Sequence, residues 1–546
     1  MRLKKDSSNQ KLNGAYYTPL QLAKAMVAFF ANKDFAHILE PSCGDGIFID
    51  CLSSAGVLSK ENAVTAVEID KGEAEKVRKR YEGNATVEVC AEDFFDFYRR
   101  SHQTNKYDLV IGNPPYIRYQ YLTDKQRQMQ AQILSSQGMK ANKLINSWVC
   151  FLVACVQMLS DNGKIAFIIP ADILQVAYAE DLRLFLSNNL QSITLITFEK
   201  LVFPEIEQEV LVFVGEKGCK EKGIRIIEMQ TLDDFRKLDL EQNGFQPLLH
   251  VKEKWTKYFI TRDEIDIVQA IRNDRRFVRF ADYGLINVGI TTGNNDYFSV
   301  NETTANEYAL QSVSLPLIGR SSHAHGIHFT KDDWQKNVKA GKKAMLIKFP
   351  DSPFESYPDG HKKYITLGEE HKQHKGYKCS IRDRWYIVPS VWIPDAFFLR
   401  RNNLYPKFVL NRYDAVSTDT MHRMKFNDGV EAENVLLSYY NSISFAFTEI
   451  CGRSYGGGVL EILPGEMGNI MLPKIENIAP HTRKTLLGFV DDIVRQGKDI
   501  ELALDIVDQE ILVRLLDIDA SLCRQCRLIW RKLQARRLGR GTTGVV

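Results

Sequence analysis

What the 546-residue chain lacks narrows its class first. It has no apolar run long enough to span a bilayer, which takes about 20 residues in a helix. The most apolar stretch, Leu144 to Leu159, is interrupted by Asn146, Ser147 and Gln157 and reads as a buried helix. No membrane partner is expected. Residues Met1 to Gln10 carry charge without an apolar segment, so no secretory leader is expected either. The ten cysteines show no disulfide-like spacing, and Cys523 and Cys526 form an isolated C-x-x-C without a second pair to complete a zinc site. A reduced, cytoplasmic chain with no metal centre follows. A large excess of one charge is missing too: the net charge is +3.

What is present describes a globular protein of two or three domains, with 44% apolar and 25% charged residues. Residues 1–240 carry 29 Lys/Arg against 31 Asp/Glu, and residues 241–546 carry 42 against 37. The second part is the basic one, which suits a polyanionic partner.

The first half is organised around Tyr107 to Gly112, a short apolar strand running into Asn113-Pro114-Pro115-Tyr116. Two prolines fix the backbone and remove two amide donors. Their carbonyls and the Asn113 amide are left to accept hydrogen bonds, beside the flat face of Tyr116. Such a loop suits a planar ligand bearing an amino group.

A series of strand ends precedes it. His37 to Glu40 is a strand ending in an acid, followed by the turn Pro41-Ser42-Cys43-Gly44-Asp45-Gly46 and a helix. Ile49 stands where a third glycine of the phosphate fingerprint would be, and Glu40 and Asp45 put negative charge there. An amino-acid-like cation fits better than a dinucleotide. A second strand, from Ala63, ends in Glu68-Ile69-Asp70, where a carboxylate can accept from both ribose hydroxyls. A third, Thr86 to Cys90, leads to Asp93-Phe94, suited to an adenine amino group and ring. Earlier still, Thr18 and Pro19 read as the N-cap and first residue of a helix from Leu20 to Phe30.

In this order, Gly-x-Tyr-Tyr-Thr-Pro, Glu-Pro-Ser-Cys-Gly-Asp-Gly, Val-Glu-Ile-Asp, Asp-Phe-Phe and Asn-Pro-Pro-Tyr resemble the S-adenosylmethionine-dependent DNA adenine methyltransferases of restriction–modification systems. The arrangement is similar to the γ-class, TaqI-type enzymes, and the resemblance runs through about residue 215. It implies an α/β fold: a Rossmann-like class I methyltransferase sheet in residues 1–240. A separate mixed α+β target-recognition domain is expected in 241–475, and a helical segment with a basic tail in 476–546. It implies S-adenosylmethionine as cofactor. Thr18, Glu40, Cys43, Gly44 and Gly46 would hold its methionine end, Glu68 its ribose, and Asp93 with Phe94 its adenine, with Ile69 a further cofactor-binding residue. Asn113 and Pro114 would hold the target amino group, with Tyr116 stacking on the base and Phe203 supplying the second face.

Other expectations complete the first half. Gln120 to Asn142 reads as a polar lid or insertion, Ala171 to Ser187 as a helix, and Glu216 to Asn243 as a charged connection. In the second half, arginines lie among aromatics and glycines, and Arg320, Arg382, Arg384 and Arg453 are candidate DNA contacts. Pro358-Asp359 and Glu370-x-Lys372 match a loose nuclease pattern, but only Tyr364 to Leu367 could form the strand it needs. No nuclease domain of its own is expected, and the partners are double-stranded DNA and a separate cognate restriction endonuclease. A methyltransferase acting on RNA or on a protein glutamine amide is the alternative reading, and a catalytically dead DNA-binding module is the third. The large second half favours DNA, because sequence readout needs an extensive interface. No cysteine follows the Pro-Pro pair, which argues against the covalent cytosine-C5 route.

Overall fold

The computed structural model describes residues 17–30, 33–58, 62–140, 145–198, 209–219, 221–229, 234, 244–247, 254–455 and 458–539. The chain divides into two compact units between Arg262 and Asp263, about twenty residues beyond the expected 240/241 boundary.

The first unit is built on one eight-stranded sheet. Its strands are β1 (His37–Glu40), β2 (Ala63–Val67), β3 (Val87–Cys90), β4 (Tyr107–Gly112), β5 (Leu159–Pro170), β6 (Ser192–Phe198), β7 (Val210–Glu216) and β8 (Gly223–Met229). Their order across the sheet is β3-β2-β1-β4-β5-β7-β6-β8. Strands β3 through β5 run parallel, β7 is antiparallel to both β5 and β6, and β8 is parallel to β6. All seven residues of β6 are buried, as expected of a strand covered on both faces. This is the Rossmann-like arrangement. Strand order reverses between β1 and β4, and in such sheets ligands bind where it reverses, beyond the carboxyl ends of the strands.

Among the described residues, seven α-helices accompany the sheet: α1 (Leu20–Ala28), α2 (Ile47–Ser54), α3 (Lys71–Arg80), α4 (Phe94–Ser101), α5 (Asp124–Ser136), α6 (Ser147–Gln157) and α7 (Glu180–Asn189). Helix α6 is the expected buried helix, with every residue from Ser147 to Val156 buried.

Three local expectations are corrected and one is filled in. Pro19 rather than Thr18 occupies the N-cap of α1, and no side chain caps that helix. The Gln-rich stretch contains α5, started by a capping box between Thr123 and Gln126. Ala171 to Ser187 is not one helix: two short 3₁₀ turns, Ala171–Leu174 and Ala177–Ala179, precede α7. The charged connection after Glu216 contains β8, whose apolar residues Ile224, Ile226 and Ile227 pair with β6.

The second unit holds a five-stranded, a four-stranded and two smaller sheets among helices. Helix Ala520–Gly539 packs on helix Ser442–Cys451, with Trp530 edge-on to Phe445 at 5.3 Å. The segment expected as a basic tail is thereby integrated. Arg527 donates to Ser442, Glu501 and Asp508, Lys532 pairs with Glu264, and Arg537 pairs with Glu449.

Candidate functional site

The loops after β1 and β4 meet at the reversal point. Their strands are held in register by Asp108 on β4, which accepts from the Ala36 and His37 amides at 3.1 Å each and from the Ser160 hydroxyl at 2.8 Å. Beyond the strands, the Ser42 hydroxyl donates to the Asn113 carbonyl at 3.3 Å. Gly46 sits at φ +82°, where a Cβ would come within 3.1 Å of Val77. Only glycine gives this turn both its left-handed backbone and its close approach to α3.

The acids behind this turn are not alike. Glu40 is 1% exposed, and its Oε2 has no hydrogen-bond partner among the described residues. Burial, reinforced by Asp45, Glu68 and Asp50, pushes its carboxyl well above the usual range. A buried acid without a partner is costly unless it is protonated or meets a cation. Glu68 is held by two backbone amides, Gly44 to Oε2 and Asp70 to Oε1, both at 2.8 Å. Burial raises its carboxyl and these amides oppose the rise. Each oxygen keeps a lone pair for a ligand hydroxyl. Ile69 beside it is 61% exposed, an apolar face at the ligand edge of the sheet.

Asp93 caps α4 through the Phe95 amide at 2.8 Å and accepts from the Gln126 side chain at 2.9 Å. Phe94 is buried, stacked on Phe151 at a centroid distance of 4.7 Å. That face of the ring belongs to the core. Cys43 is buried, and burial with Glu40 and Glu68 drives its thiol far upward, so it is no nucleophile.

The Asn113–Tyr116 loop is pinned on both sides of Pro114. The Asn113 carbonyl accepts from Ser42, and the Pro115 carbonyl accepts from the Ser147 hydroxyl at 2.6 Å. Ser147 also accepts from the Ile117 amide at 3.0 Å. No donor among the described residues reaches the Pro114 carbonyl between them. Asn113 Nδ2 donates to the Thr18 hydroxyl at 3.2 Å, and the Tyr116 hydroxyl lies 3.0 Å from both Asn113 Oδ1 and the Ile168 carbonyl. Thr18 therefore reaches the Asn113 amide, not a helix cap. The Tyr116 ring is 7% exposed. Phe203 lies outside the described residues.

Sequence reasoning missed Ser42, Ser147 and Gln126. Nothing local in the sequence ties any of the three to its partner.

The four arginines of the second unit differ. Arg320 is exposed. Arg382 donates to the carbonyls of Thr291, Thr292 and Trp385, and so braces the Thr291–Gly293 turn. Arg384 pairs with Asp351, and Arg453 with Glu466 at 2.6 Å. Three of the four candidate DNA contacts are engaged by the chain itself.

Two family descriptions match the chain. Residues 51–203 match the Eco57I restriction-modification methylase, and residues 252–512 match the C-terminal domain of the type II methyltransferase M.Eco57I. The chain is 25% identical over 490 residues to the type II methyltransferase M.AccI of Acinetobacter calcoaceticus, covering 85% of this chain and 86% of that one. The chain belongs to the type II restriction–modification DNA methyltransferases.

Another relative in this group is the type II methyltransferase M.HindII of Haemophilus influenzae, 25% identical over 343 residues, 60% of this chain and 62% of that one. In fold, the methyltransferase is similar to the type IIL restriction-modification enzyme MmeI, solved in complex with DNA. The TM-score is 0.52 and the identity 11%, over 100% of this chain and 78% of that one.

Two further features of the methyltransferase concern other chemistries. Asp359 and Glu370 are the first and last residues of one helix, which sets them about 16 Å apart along its axis. The nuclease pattern therefore does not converge on a metal. Cys523 and Cys526 are both buried, and burial pushes the Cys523 thiol up to about 12. Among the described residues, no group of three or more His, Cys, Asp or Glu could hold a metal ion, and no helix is long and apolar enough to cross a membrane.

Proposed function

We propose that this methyltransferase moves a methyl group from S-adenosylmethionine to the exocyclic amino group of an adenine flipped out of double-stranded DNA. Its setting would be a restriction–modification system, with a separate endonuclease cutting the same site. The observation that carries this reading is the Pro114 carbonyl, left without a donor between two pinned carbonyls and beside the Asn113 amide, at the reversal point of the sheet.

The residues present fit the cofactor. The buried, unpartnered Glu40 Oε2 suits its cationic methionine end, the Glu68 oxygens suit a ribose diol, and exposed Ile69 suits a ring face. When bound, S-adenosylmethionine supplies a methyl group made electrophilic by its sulfonium.

The chain's own task is then to present a nitrogen. An adenine amino group is a poor nucleophile because its lone pair is delocalised into the ring. Two acceptors, Asn113 Oδ1 and the Pro114 carbonyl, take its two hydrogens and favour a tetrahedral nitrogen with its lone pair free. Most of the remaining barrier is positioning, which the pinned loop provides. After transfer the nitrogen carries a surplus proton, which these weakly basic oxygens pass to water. The described residues put no reactive thiol at this loop, which supports an amino target over a ring carbon.

Flipping the base costs a few kcal/mol. Stacking on Tyr116 would return on the order of 1–3 kcal/mol per face. The Asn-Pro-Pro-Tyr string and its place after the cofactor motifs favour adenine over the cytosine amino group. Mapping modified bases by single-molecule sequencing of DNA from cells expressing the chain tests the reading. Methylated adenines at one recurring site are expected. Methyl groups found only on cytosine, on RNA or on a protein amide would replace this function with another.

A further inference from the structure

Gln126, in the first turn of α5, meets Asp93 beyond the end of β3: its Nε2 donates to Asp93 Oδ2 at 2.9 Å. The other partners of this carboxamide settle which end faces the acid. Gln126 Oε1 accepts from the Thr123 amide and from the Thr123 hydroxyl, both at 3.1 Å. A backbone N–H can only donate, so the oxygen faces Thr123 and the nitrogen faces Asp93. One side chain thus closes the capping box of α5 and hands a donor to the acid.

The two oxygens of Asp93 are held separately. Oδ1 accepts from the Phe95 amide at 2.8 Å, and Oδ2 from Gln126. The last torsion of an aspartate is soft, and the Phe95 amide alone leaves the group a hinge. A second donor, from another helix, fixes its plane. A carboxylate has about four lone-pair sites, so each oxygen keeps one for a ligand. Helix α5 has other ties as well: Lys125 pairs with Asp96 at 2.6 Å, and Arg127 donates to the Tyr119 and Gln120 carbonyls at 3.2 Å each.

We propose that Gln126 is a positioning residue for the cofactor: it fixes the Asp93 carboxylate so that a remaining lone pair meets the amino group of the cofactor's adenine. This rests on the reading of S-adenosylmethionine as cofactor, with Asp93 at its adenine.

The test is binding, without turnover, of S-adenosylhomocysteine and of its analogue with hydrogen in place of the purine amino group, by calorimetry. Gln126→Met removes both the cap and the donor. Gln126→Glu keeps a capping oxygen and sets an acceptor against Asp93. Both variants should bind S-adenosylhomocysteine about three- to tenfold more weakly than the parent, the worth of one hydrogen bond. Both should bind the analogue as the parent does, which also shows that the pocket is folded. A role in starting α5 alone would spare Gln126→Glu, or weaken both ligands alike in Gln126→Met; either result overturns the inference. Asp93→Ala separates the two levels of argument. If that variant keeps the parent's preference for the amino-bearing ligand, the reading of Asp93 fails and the inference with it. If it loses that preference while both Gln126 variants keep it, only the role of Gln126 falls.

Discussion

The Ser42 hydroxyl donates to the Asn113 carbonyl at 3.3 Å, so the loop after β1 and the loop after β4 are held by one side-chain bond. In the proposed reading the first loop carries the methyl donor's site and the second the acceptor's. Ser42→Ala should leave cofactor affinity within about twofold and lower the single-turnover rate about three- to tenfold, the worth of one hydrogen bond. Rapid-quench measurement of labelled methyl transfer, beside a cofactor titration, reads both. A loss of affinity with no loss of rate would place Ser42 with the cofactor alone.

In the proposed reading, Glu40 should make cofactor binding pH-dependent. Its carboxyl is raised well above the usual range by burial, then by Asp45, Glu68 and Asp50, so it holds a proton where a free carboxyl would not. Around it also stand the buried neutral Cys43 thiol, the Arg80–Asp50 pair and Tyr81, which donates to Asp50. Pairing with a cation favours the charged form, so binding should release a proton and tighten as pH rises through the raised value. Calorimetry in two buffers of different ionisation enthalpy should show net proton release, absent in Glu40→Gln. The sign for folding is opposite: the native state binds more protons than the unfolded chain between the ordinary and raised values, so stability falls as pH rises through that window. Glu40→Gln should remove that fall.

Arg537 and Glu449 form a buried pair at 2.7 Å, with side chains 1% and 4% exposed. Removing one partner strands the other charge and costs about 3–5 kcal/mol. Arg537→Met should therefore lower the unfolding midpoint of the second unit strongly in a urea titration. The double variant Arg537→Met/Glu449→Leu should recover much of the loss. A single variant as stable as the parent would contradict the pairing.

Arg320 and Arg453 should behave differently toward DNA. Arg320 is exposed, whereas Arg453 is taken by Glu466 at 2.6 Å. If the second unit carries the DNA surface, log Kd should vary steeply with log salt, and Arg320→Gln should reduce that slope by about one. Arg453→Gln should lower thermal stability and leave the slope alone. A flat salt profile for the parent would move the DNA surface elsewhere.

Much of the site was legible because its signals are local. Strand ends at Glu40 and Glu68, glycines in the turn between β1 and α2, and a Pro-Pro pair each constrain the backbone where they stand. What was not legible is tertiary. Thr18 meets Asn113 across 95 positions, and its place before Pro19 suggested a helix cap instead. Arg382 is a candidate phosphate ligand by its sequence setting, and nothing in that setting shows the Thr291 and Thr292 carbonyls to which it donates. Strand β8 was hidden because its apolar residues, interrupted by Arg225 and Glu228, sit in a charged stretch. The Asp359 to Glu370 pattern could not distinguish strand from helix, and the helix removes its meaning.

The central claim is that Asn113 and the Pro114 carbonyl present an exocyclic adenine nitrogen to the methyl donor. The most direct test is transfer of an isotopically labelled methyl group to duplex DNA, followed by hydrolysis to nucleosides and mass spectrometry, for the parent and for Asn113→Ala. The prediction is N6-methyldeoxyadenosine with the parent, and none above background with a variant that still binds the cofactor. Label recovered in cytosine, or undiminished adenine labelling by Asn113→Ala, would contradict it.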